Sequence, residues 1–133
     1  MCHGMLPRPH KDAIAGAPDL QRFRFLSQVI PEMVARFRMA GLEANDIEVK
    51  LFGGGNVIDM GGDAHSDRWI GTANVTAARL LLRHARLTVR AENVGGDRGR
   101  KIVFNTQSGE VLHKLLSRGR AKPSKGMSAP QPQ

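Results

Sequence analysis

The first seven residues of the chain, MCHGMLP, place its only cysteine, Cys2, directly beside a histidine, His3. A thiol and an imidazole are the groups that a cysteine hydrolase needs, because the imidazole accepts the thiol proton and so generates the nucleophilic thiolate. In an extended segment, however, neighbouring side chains point to opposite sides, and the imidazole then does not reach the thiol. We therefore expect that Cys2 and His3 do not form a catalytic pair with each other.

A run of three glycines, Gly53–Gly55, follows the apolar segment IEVKLF. Glycines after a strand allow a second backbone or a substrate to approach closely. The run lacks the Gly-Lys-Ser/Thr of a P-loop, and Ile58 stands where the dinucleotide-binding pattern needs its third glycine. Two interpretations remain open: a structural turn, and a loop that lines a site.

Two other segments carry groups that bind ions. Residues 59–67, DMGGDAHSD, bring aspartates close to His65, but Arg68 and Asn74 stand where a calcium-binding loop needs glycine and glutamate. This segment is predicted to be a solvated loop, and we expect neither a metal nor a cofactor. Residues 95–101, GGDRGRK, combine glycine amides with cations, and are either an anion site or a basic β-turn, which is the commoner case.

The composition favours a single domain without membrane insertion. The chain has 133 residues, of which 41% are apolar, enough for one core. It shows neither an apolar run long enough to span a bilayer nor an apolar N-terminal stretch of the signal-peptide type. A single cysteine excludes an internal disulfide and a zinc site built from cysteines. These features favour a cytoplasmic location.

The formal charge of +8 is partly concentrated in the last residues. The segment 117–133 carries four cations, three prolines and no acid, so we expect a basic disordered tail. The rest of the chain has 16 basic and 12 acidic residues, a net charge of +4. Nucleic acid is therefore not the expected partner, and the tail is interpreted as an aid to solubility or a contact for an acidic partner.

The periodicity of apolar residues predicts two main helices. The first is expected from Asp19 to about Ala40, with Pro31 either bending it or dividing it in two. The second is expected from Thr72 to about Arg86, with its inner face formed by Val75, Ala78, Leu81, Leu82 and Ala85.

Alternating and apolar stretches predict four strands. These are IEVKLF, LTVRAEN, KIVFN and VLHKLL, with TQSGE joining the last two as a hairpin. In the second stretch, Leu87, Val89 and Ala91 are expected on one buried face. The stretch GMLP near the start is typical of a strand end. Together these elements predict an α/β fold in which two helices pack on a layered, mixed β-sheet.

Several motifs, in this order and spacing, resemble those of a known bacterial family. They are MCHGMLP, the RF that opens the first helix, KLFGGGNV, IGTANV and AENVGGDRGRKIVFNTQSGEVLHK. Through them the chain is similar to the chemoreceptor glutamine deamidases called CheD. The resemblance covers residues 1–116 and implies a CheD-like α/β sandwich there, followed by the tail at 117–133.

The resemblance also implies a reaction and a site. Members of the family hydrolyse particular glutamines of methyl-accepting chemotaxis receptors to glutamate and release ammonia. Their catalytic residues are a cysteine in a Gly-Ser-Cys segment, a threonine before it, and a histidine in a following M-x-H-x-M-L-P segment. That last segment matches this chain at its fixed positions, so His3 takes the place of the catalytic general acid/base. The resemblance further implies that Gly53–Gly55 lines the substrate cleft.

The chain departs from the family pattern at its start. The nucleophilic cysteine, the threonine and one or more strands would precede Met1, Cys2 falls on a variable position, and Gly4 replaces a bulkier apolar residue. Three accounts are open: a start codon assigned too late, a truncated and inactive product, or a non-catalytic module that binds chemoreceptors or a CheC-type phosphatase. The first is favoured, and residues 1–133 alone are expected to lack amidase activity.

Overall fold

Two α-helices and four strands form the described part of the chain, which covers residues 1–9, 22–56 and 67–117 of a computed structural model. The elements are helices α1 (Leu26–Met39) and α2 (Asp67–His84), strands β1 (Val49–Gly53), β2 (Val89–Val94), β3 (Arg100–Phe104) and β4 (Val111–Leu115), and a short 3-10 turn at Ala44–Asp46. This order confirms the predicted α/β class. The predicted loop around His65, the residue Asp19 and the tail from residue 118 onward lie outside the described residues.

Helix α1 begins at Leu26, later than predicted, because Phe25 before it is extended, with φ −99° and ψ 127°. Its apolar residues recur at spacings of three and four, which brings Leu26, Ile30 and Val34 onto one buried face. The helix continues through Pro31, so the alternative in which Pro31 divides it in two is wrong. Pro31 is exposed and removes one helical hydrogen bond, a cost that burial of the opposite face offsets.

The core lies where the two helices meet and where β1 packs against them. Its buried side chains are Leu26, Ile30 and Val34 of α1, Ala78 and Leu82 of α2, and Leu87 just before β2. Helix α2 is longer at its start than the predicted range, and its predicted inner face is the face that contributes to this cluster. Burying an aliphatic side chain of this size stabilises a fold by about 1.5–3 kcal/mol, so this cluster is the main source of stability. Neither described helix is long and apolar enough to cross a membrane.

Strands β1 and β2 pair in parallel, and their register contains an irregularity. Val49 pairs with Val89, whereas Lys50 pairs with Ala91, so Arg90 is an extra residue on β2. A shift of one residue turns every later side chain to the other face of a strand. Ala91 is consequently exposed, and the prediction that it shares a buried face with Val89 is wrong.

The same shift turns Glu92 towards the helices. Glu92 pairs with Leu51, whose side chain packs against the core, and its carboxylate accepts a 2.6 Å hydrogen bond from Arg79 of α2. Both side chains are about half exposed, at 40% and 51%, so this ion pair contributes at most about 1 kcal/mol. It fixes the position of β2 against the helix more than it stabilises the fold.

Strands β3 and β4 form the predicted antiparallel hairpin, in which Ile102 pairs with His113 and Val103 with Leu112. In its connecting loop the Asn105 side chain accepts hydrogen bonds from two backbone amides, at 2.9 and 3.2 Å. The described strands thus form two separate two-stranded sheets, β1–β2 and β3–β4, where the sequence predicts one mixed sheet.

The hairpin lies on the face of β1 opposite the helices. Lys50 of β1 donates a 2.9 Å hydrogen bond to the carbonyl of Gly109 in the hairpin loop. The rings of Phe52 and His113 are in tilted contact, with centroids 5.5 Å apart. Since side chains alternate along a strand, Lys50 and Phe52 face the hairpin while Val49 and Leu51 face the helices. The result is a layered arrangement of helices, a parallel pair of strands, and a hairpin.

Candidate active site

The N-terminal segment is extended, and its side chains alternate between two environments. Its half-buried members are Cys2, Gly4 and Leu6, and its exposed members are Met1, His3 and Met5. Cys2 packs against the buried helix cluster, whereas His3 lies on the solvent side. Within the described residues no hydrogen bond joins the Cys2 thiol to the His3 imidazole. This is the separation expected for neighbours on an extended segment.

Backbone hydrogen bonds fix the segment to the start of α1. The amides of Met5 and Leu6 both donate to the Arg24 carbonyl, at 2.7 and 3.1 Å. Leu6 and Phe25 form an isolated parallel β-bridge, so the strand end predicted at GMLP is a single bridge rather than a longer strand. The segment is therefore held in an extended form by the residues that lead into the helix.

The segment also satisfies the first N–H groups of α1. Leu26 donates to the Leu6 carbonyl at 2.8 Å, and Ser27 donates to the Pro7 carbonyl at 3.1 Å. A helix start leaves its first N–H groups without helical partners, and Phe25 at the cap position supplies no side-chain acceptor. The residues around His3 thus cap α1 through their backbone.

Gly4 occupies a position without room for a side chain. A Cβ atom there would overlap the side chain of Leu26, which belongs to the core. A bulkier residue at this position therefore requires Leu26 to move. Glycine at position 4 allows the segment that carries His3 to lie directly against α1.

The environment of Cys2 does not favour a thiolate. Burial against apolar side chains raises the pKa of the Cys2 thiol above its usual value, and the nearby N-terminal ammonium group opposes this rise only in part. The thiol is therefore protonated near neutral pH. Since the thiolate is the nucleophilic form, Cys2 is poorly suited to attack an amide.

The glycine run Gly53–Gly55 follows β1 and makes close backbone contacts. Gly53 and Gly54 have φ angles of 125° and 63°, in the region that favours glycine. A Cβ atom on Gly54 would lie 2.8 Å from the carbonyl oxygen of Gly71 in α2, and one on Gly71 would lie 2.5 Å from the carbonyl oxygen of Gly54. The run thus allows β1 to end directly against α2, as the structural interpretation predicts. Its lining of a substrate cleft stays a prediction.

The two arginines at the turn between β2 and β3, Arg98 and Arg100, donate their hydrogen bonds within the protein. The Arg100 guanidinium donates to the Asn93 side chain at 2.6 Å and to the Gly95 carbonyl at 2.7 Å. Arg98 donates to the carbonyl of Leu116, at 2.7 Å, just after β4. Because these guanidinium groups are already hydrogen-bonded, the geometry favours the basic turn over the anion site.

This turn and the glycine run are joined to each other. The Gly95 amide donates to the Gly53 carbonyl at 2.9 Å, and the Asn56 amide donates to the Gly96 carbonyl at 2.8 Å. The two glycine-rich loops after β1 and β2 therefore form one connected unit beside α2. No group of three or more metal-ligating side chains is present among the described residues.

Comparison with known proteins identifies the family. The family model described as CheD chemotactic sensory transduction matches residues 5–115. The chain belongs to the CheD family. It is 39% identical, over 121 residues, to the probable chemoreceptor glutamine deamidase CheD 2 of Geobacter sulfurreducens, covering 91% of this chain and 69% of that protein. Proteins named probable chemoreceptor glutamine deamidase CheD are 43% identical over 98 residues in Oleidesulfovibrio alaskensis and 32% identical over 130 residues in Nitratidesulfovibrio vulgaris.

The extent of these matches bears on the site. The match to the Oleidesulfovibrio alaskensis protein spans 45% of that protein and 71% of this chain. The match to the Nitratidesulfovibrio vulgaris protein spans 58% of that protein and 87% of this chain. The CheD match includes Gly53–Gly55, whereas His3 lies just before its first matched residue. The assignment of His3 therefore depends on the MCHGMLP motif and on the structure around it.

Sequence reasoning assigned no role to one residue of a family motif that contacts the segment of His3. Asn74, in the motif IGTANV, donates a 2.9 Å hydrogen bond from its side-chain amide to the Met5 carbonyl. Its side-chain oxygen is buried without a hydrogen-bond partner among the described residues. Gly71, which contacts the glycine run, is one turn earlier on α2. The sequence signal was a polar amide close to the apolar face of a helix, within a motif that marks the family.

Helix α2 therefore brings the two predicted site regions together. Its stretch Gly71–Val75 contacts the glycine run through Gly71 and Val75 and holds the N-terminal segment through Asn74. His3 is two residues before the carbonyl that Asn74 binds. This arrangement places the segment of His3 and the end of β1 beside the same turn of α2.

Proposed function

We propose that this protein is a protein-glutamine deamidase of bacterial chemotaxis, which acts on methyl-accepting chemoreceptors in the cytoplasm. The observation that carries the proposal is the family match over residues 5–115. It is supported by the 39% identity to a protein named as a probable chemoreceptor glutamine deamidase. The reaction is hydrolysis of a primary amide, with glutamate and ammonia as its products.

We assign the role of general acid/base to His3. A primary amide is a poor electrophile and has a poor leaving group, so a thiolate must attack its carbonyl while an acid protonates the departing ammonia. The imidazole then activates water against the thioester. His3 suits this role because it is exposed to an approaching protein substrate, while the neighbouring backbone is fixed by α1 and Asn74.

The nucleophile of this reaction is not Cys2. Its thiol packs against the core, its pKa is raised by burial, and no hydrogen bond links it to His3 within the described residues. Cys2 is also the only cysteine of the sequence. We therefore expect no deamidation by the 133-residue chain alone.

The proposal is tested with receptor cytoplasmic fragments, by mass spectrometry of their glutamines. Translating the DNA upstream of the Met1 codon in frame shows whether a Gly-Ser-Cys run precedes it. If it does, the longer protein should deamidate the receptor, and His3→Ala in that protein should reduce the rate by roughly 100-fold or more. An unchanged rate in His3→Ala contradicts the role of His3, and a longer protein without turnover contradicts the deamidase function.

A second function, binding without catalysis, is compatible with the environment of Cys2, which does not favour a thiolate. The 133-residue chain is incubated with receptor fragments and, separately, with a CheC-type phosphatase. Capture of either protein without deamidation supports a non-catalytic module. Turnover by this chain that is lost in Cys2→Ser contradicts both the module and our exclusion of Cys2 as the nucleophile.

A further inference from the structure

A concave region lies at the opposite ends of the helices from the His3 segment. It is a half-open depression of about 310 Å³ between the C-terminal ends of α1 and α2 and the 3-10 turn. Val34 of α1 and Leu87 after α2 lie in it and are only 5% and 6% exposed. We call it the C-terminal depression. Its size is at the lower end of the range for pockets that bind small molecules.

The walls of the C-terminal depression combine apolar groups with two guanidinium groups. Ile47 adds apolar surface beside the buried pair, and Arg38 and Arg86 supply the cations. Neither arginine side chain makes a hydrogen bond or ion pair with another described residue. Glu43 is the acidic residue that lines the depression, so the charges of its lining sum to +1. The depression therefore has two arginines without a partner among the described residues next to an apolar surface.

Arg86 is held in a conformation that arginine disfavours. Among the described residues, Arg86 is the one residue other than glycine with a positive φ, which is 61°. It follows the last turn of α2, where its amide donates to the Arg83 carbonyl at 3.0 Å and the Leu87 amide donates to the Leu82 carbonyl at 2.9 Å. This is a Schellman motif, whose left-handed position is usually glycine because a Cβ atom costs about 1–2 kcal/mol there.

Helix α1 ends in the same motif with the usual residue. Gly41 has a φ of 82°, its amide donates to the Arg38 carbonyl at 2.9 Å, and the Leu42 amide donates to the Phe37 carbonyl at 3.0 Å. Two equivalent helix ends therefore carry glycine in one case and arginine in the other. Strained residues of this kind concentrate at functional sites, and Arg86 lines the C-terminal depression.

We propose that the C-terminal depression binds a small anion that carries an apolar group, such as an aromatic carboxylate or phosphate monoester. Leu42 and Ile47, apolar lining residues that are not buried, contact the apolar group, and Arg38 and Arg86 donate hydrogen bonds to the anion. Charged hydrogen bonds supply affinity here because neither guanidinium has to leave a partner among the described residues. This site is independent of the deamidase assignment, since it shares no residue with the His3 segment.

The test uses three probes on the isotope-labelled 133-residue chain, followed by NMR. Phenyl phosphate carries both features, inorganic phosphate carries only the anion, and phenol carries only the apolar ring. Phenyl phosphate should shift the amide resonances of Val34, Ile47 and Leu87 saturably and bind about tenfold more tightly than either control probe. Comparable affinity for phosphate or phenol, saturation elsewhere on the protein, or no saturation contradicts the proposal.

Variants separate binding from folding. Arg86→Gly relieves the strained conformation, so it should raise thermal stability while weakening phenyl phosphate about tenfold. Arg38→Gln should weaken the probe to a similar extent. Arg83→Gln removes the same charge from the last turn of α2 without lining the depression, and should bind as the unsubstituted protein does. Unchanged binding in both Arg86→Gly and Arg38→Gln, or equal weakening in Arg83→Gln, overturns the proposed site.

Discussion

Leu82 of helix α2 is 3% exposed, whereas Leu112 of the β3–β4 hairpin, an identical side chain, is 60% exposed. The same contrast separates Ile30 of α1, at 4%, from Ile102 of β3, at 37%. The helices bury their apolar faces against each other and against β1. The described part of the chain leaves most of the apolar surface of the hairpin open to solvent, so the two regions depend on different interactions.

The hairpin is held largely by polar and backbone contacts. Lys50 and Arg98 donate to carbonyls at its two ends, and Phe52 contacts the ring of His113. A two-stranded hairpin is marginally stable in water without such support. The helix layer is therefore expected to decide whether the protein folds, and the hairpin contacts to decide whether one outer layer stays in place.

The largest expected effect contrasts the two leucines. Leu82→Ala removes buried methyl groups and leaves a cavity in the helix cluster, so it should lower the free energy of unfolding by about 2–5 kcal/mol. Leu112→Ala should change it by about 0.5 kcal/mol or less, because most of the side chain is already in water. Urea denaturation followed by circular dichroism measures both. Equal losses for the two variants would show that the hairpin is covered in solution.

The next contrast compares two asparagines. Asn74→Ala removes the side-chain amide that holds the Met5 carbonyl, and should cost about 0.5–1.5 kcal/mol and loosen the N-terminal segment. Asn105→Ala removes acceptors for two amides in the exposed hairpin loop, and should cost about 0.5–1.5 kcal/mol. Hydrogen exchange locates each effect. Faster exchange of the Leu26 and Ser27 amides is expected in the first variant alone, and its absence there would argue against anchoring by Asn74.

The hydrogen bond from Lys50 to the hairpin loop predicts a more local effect on stability. Lys50→Met keeps most of the aliphatic stem but loses the hydrogen bond to Gly109 and the 3.0 Å ion pair with the exposed Glu48, so the expected cost is about 0.5–1.5 kcal/mol. Exchange should accelerate in β3 and β4 while β2 stays protected. Lys101→Met is the matched control, because Lys101 makes no side-chain hydrogen bond or ion pair with another described residue. If both variants exchange alike, the contact with Gly109 does not hold the hairpin.

The sequence predicted elements whose determinants are local. The spacing of Ala78 and Leu82 identified the inner face of α2, and TQSGE identified the hairpin loop. Periodicity did not reveal the extra residue at Arg90, because a bulge depends on the register with a second strand. Ala91 was misplaced for that reason.

The contacts around the candidate site depend on residues far apart in the chain. Asn74 binds the carbonyl of Met5, and Gly71 contacts Gly54 through backbone atoms. Local patterns contain no information on either partner. The family motifs brought His3 and the glycine run into one hypothesis, and only the fold provided the turn of α2 that both regions contact.

The smallest expected effect on stability concerns Cys2, where the N-terminal segment meets the helix layer. Burial raises the pKa of its thiol, so the folded state favours the neutral form. The resulting stabilisation is fully present below the thiol pKa of the unfolded chain, and is lost as pH rises through the higher value of the folded protein. Cys2→Ser should lack this alkaline loss in denaturation measured at increasing pH.

Alkylation by iodoacetamide at pH 8 tests the burial of the Cys2 thiol by comparing its rate with that of a thiol on the exposed hairpin. Cys2 should react roughly threefold or more slowly than the thiol introduced by Val103→Cys in a Cys2→Ser background, because residue 103 is 55% exposed. Alkylation of Cys2 should accelerate as pH passes the ordinary thiol range. Equal rates at pH 8 would place Cys2 in solvent and remove the main physical argument against it as a nucleophile, which makes this small effect the one that bears most directly on the reaction.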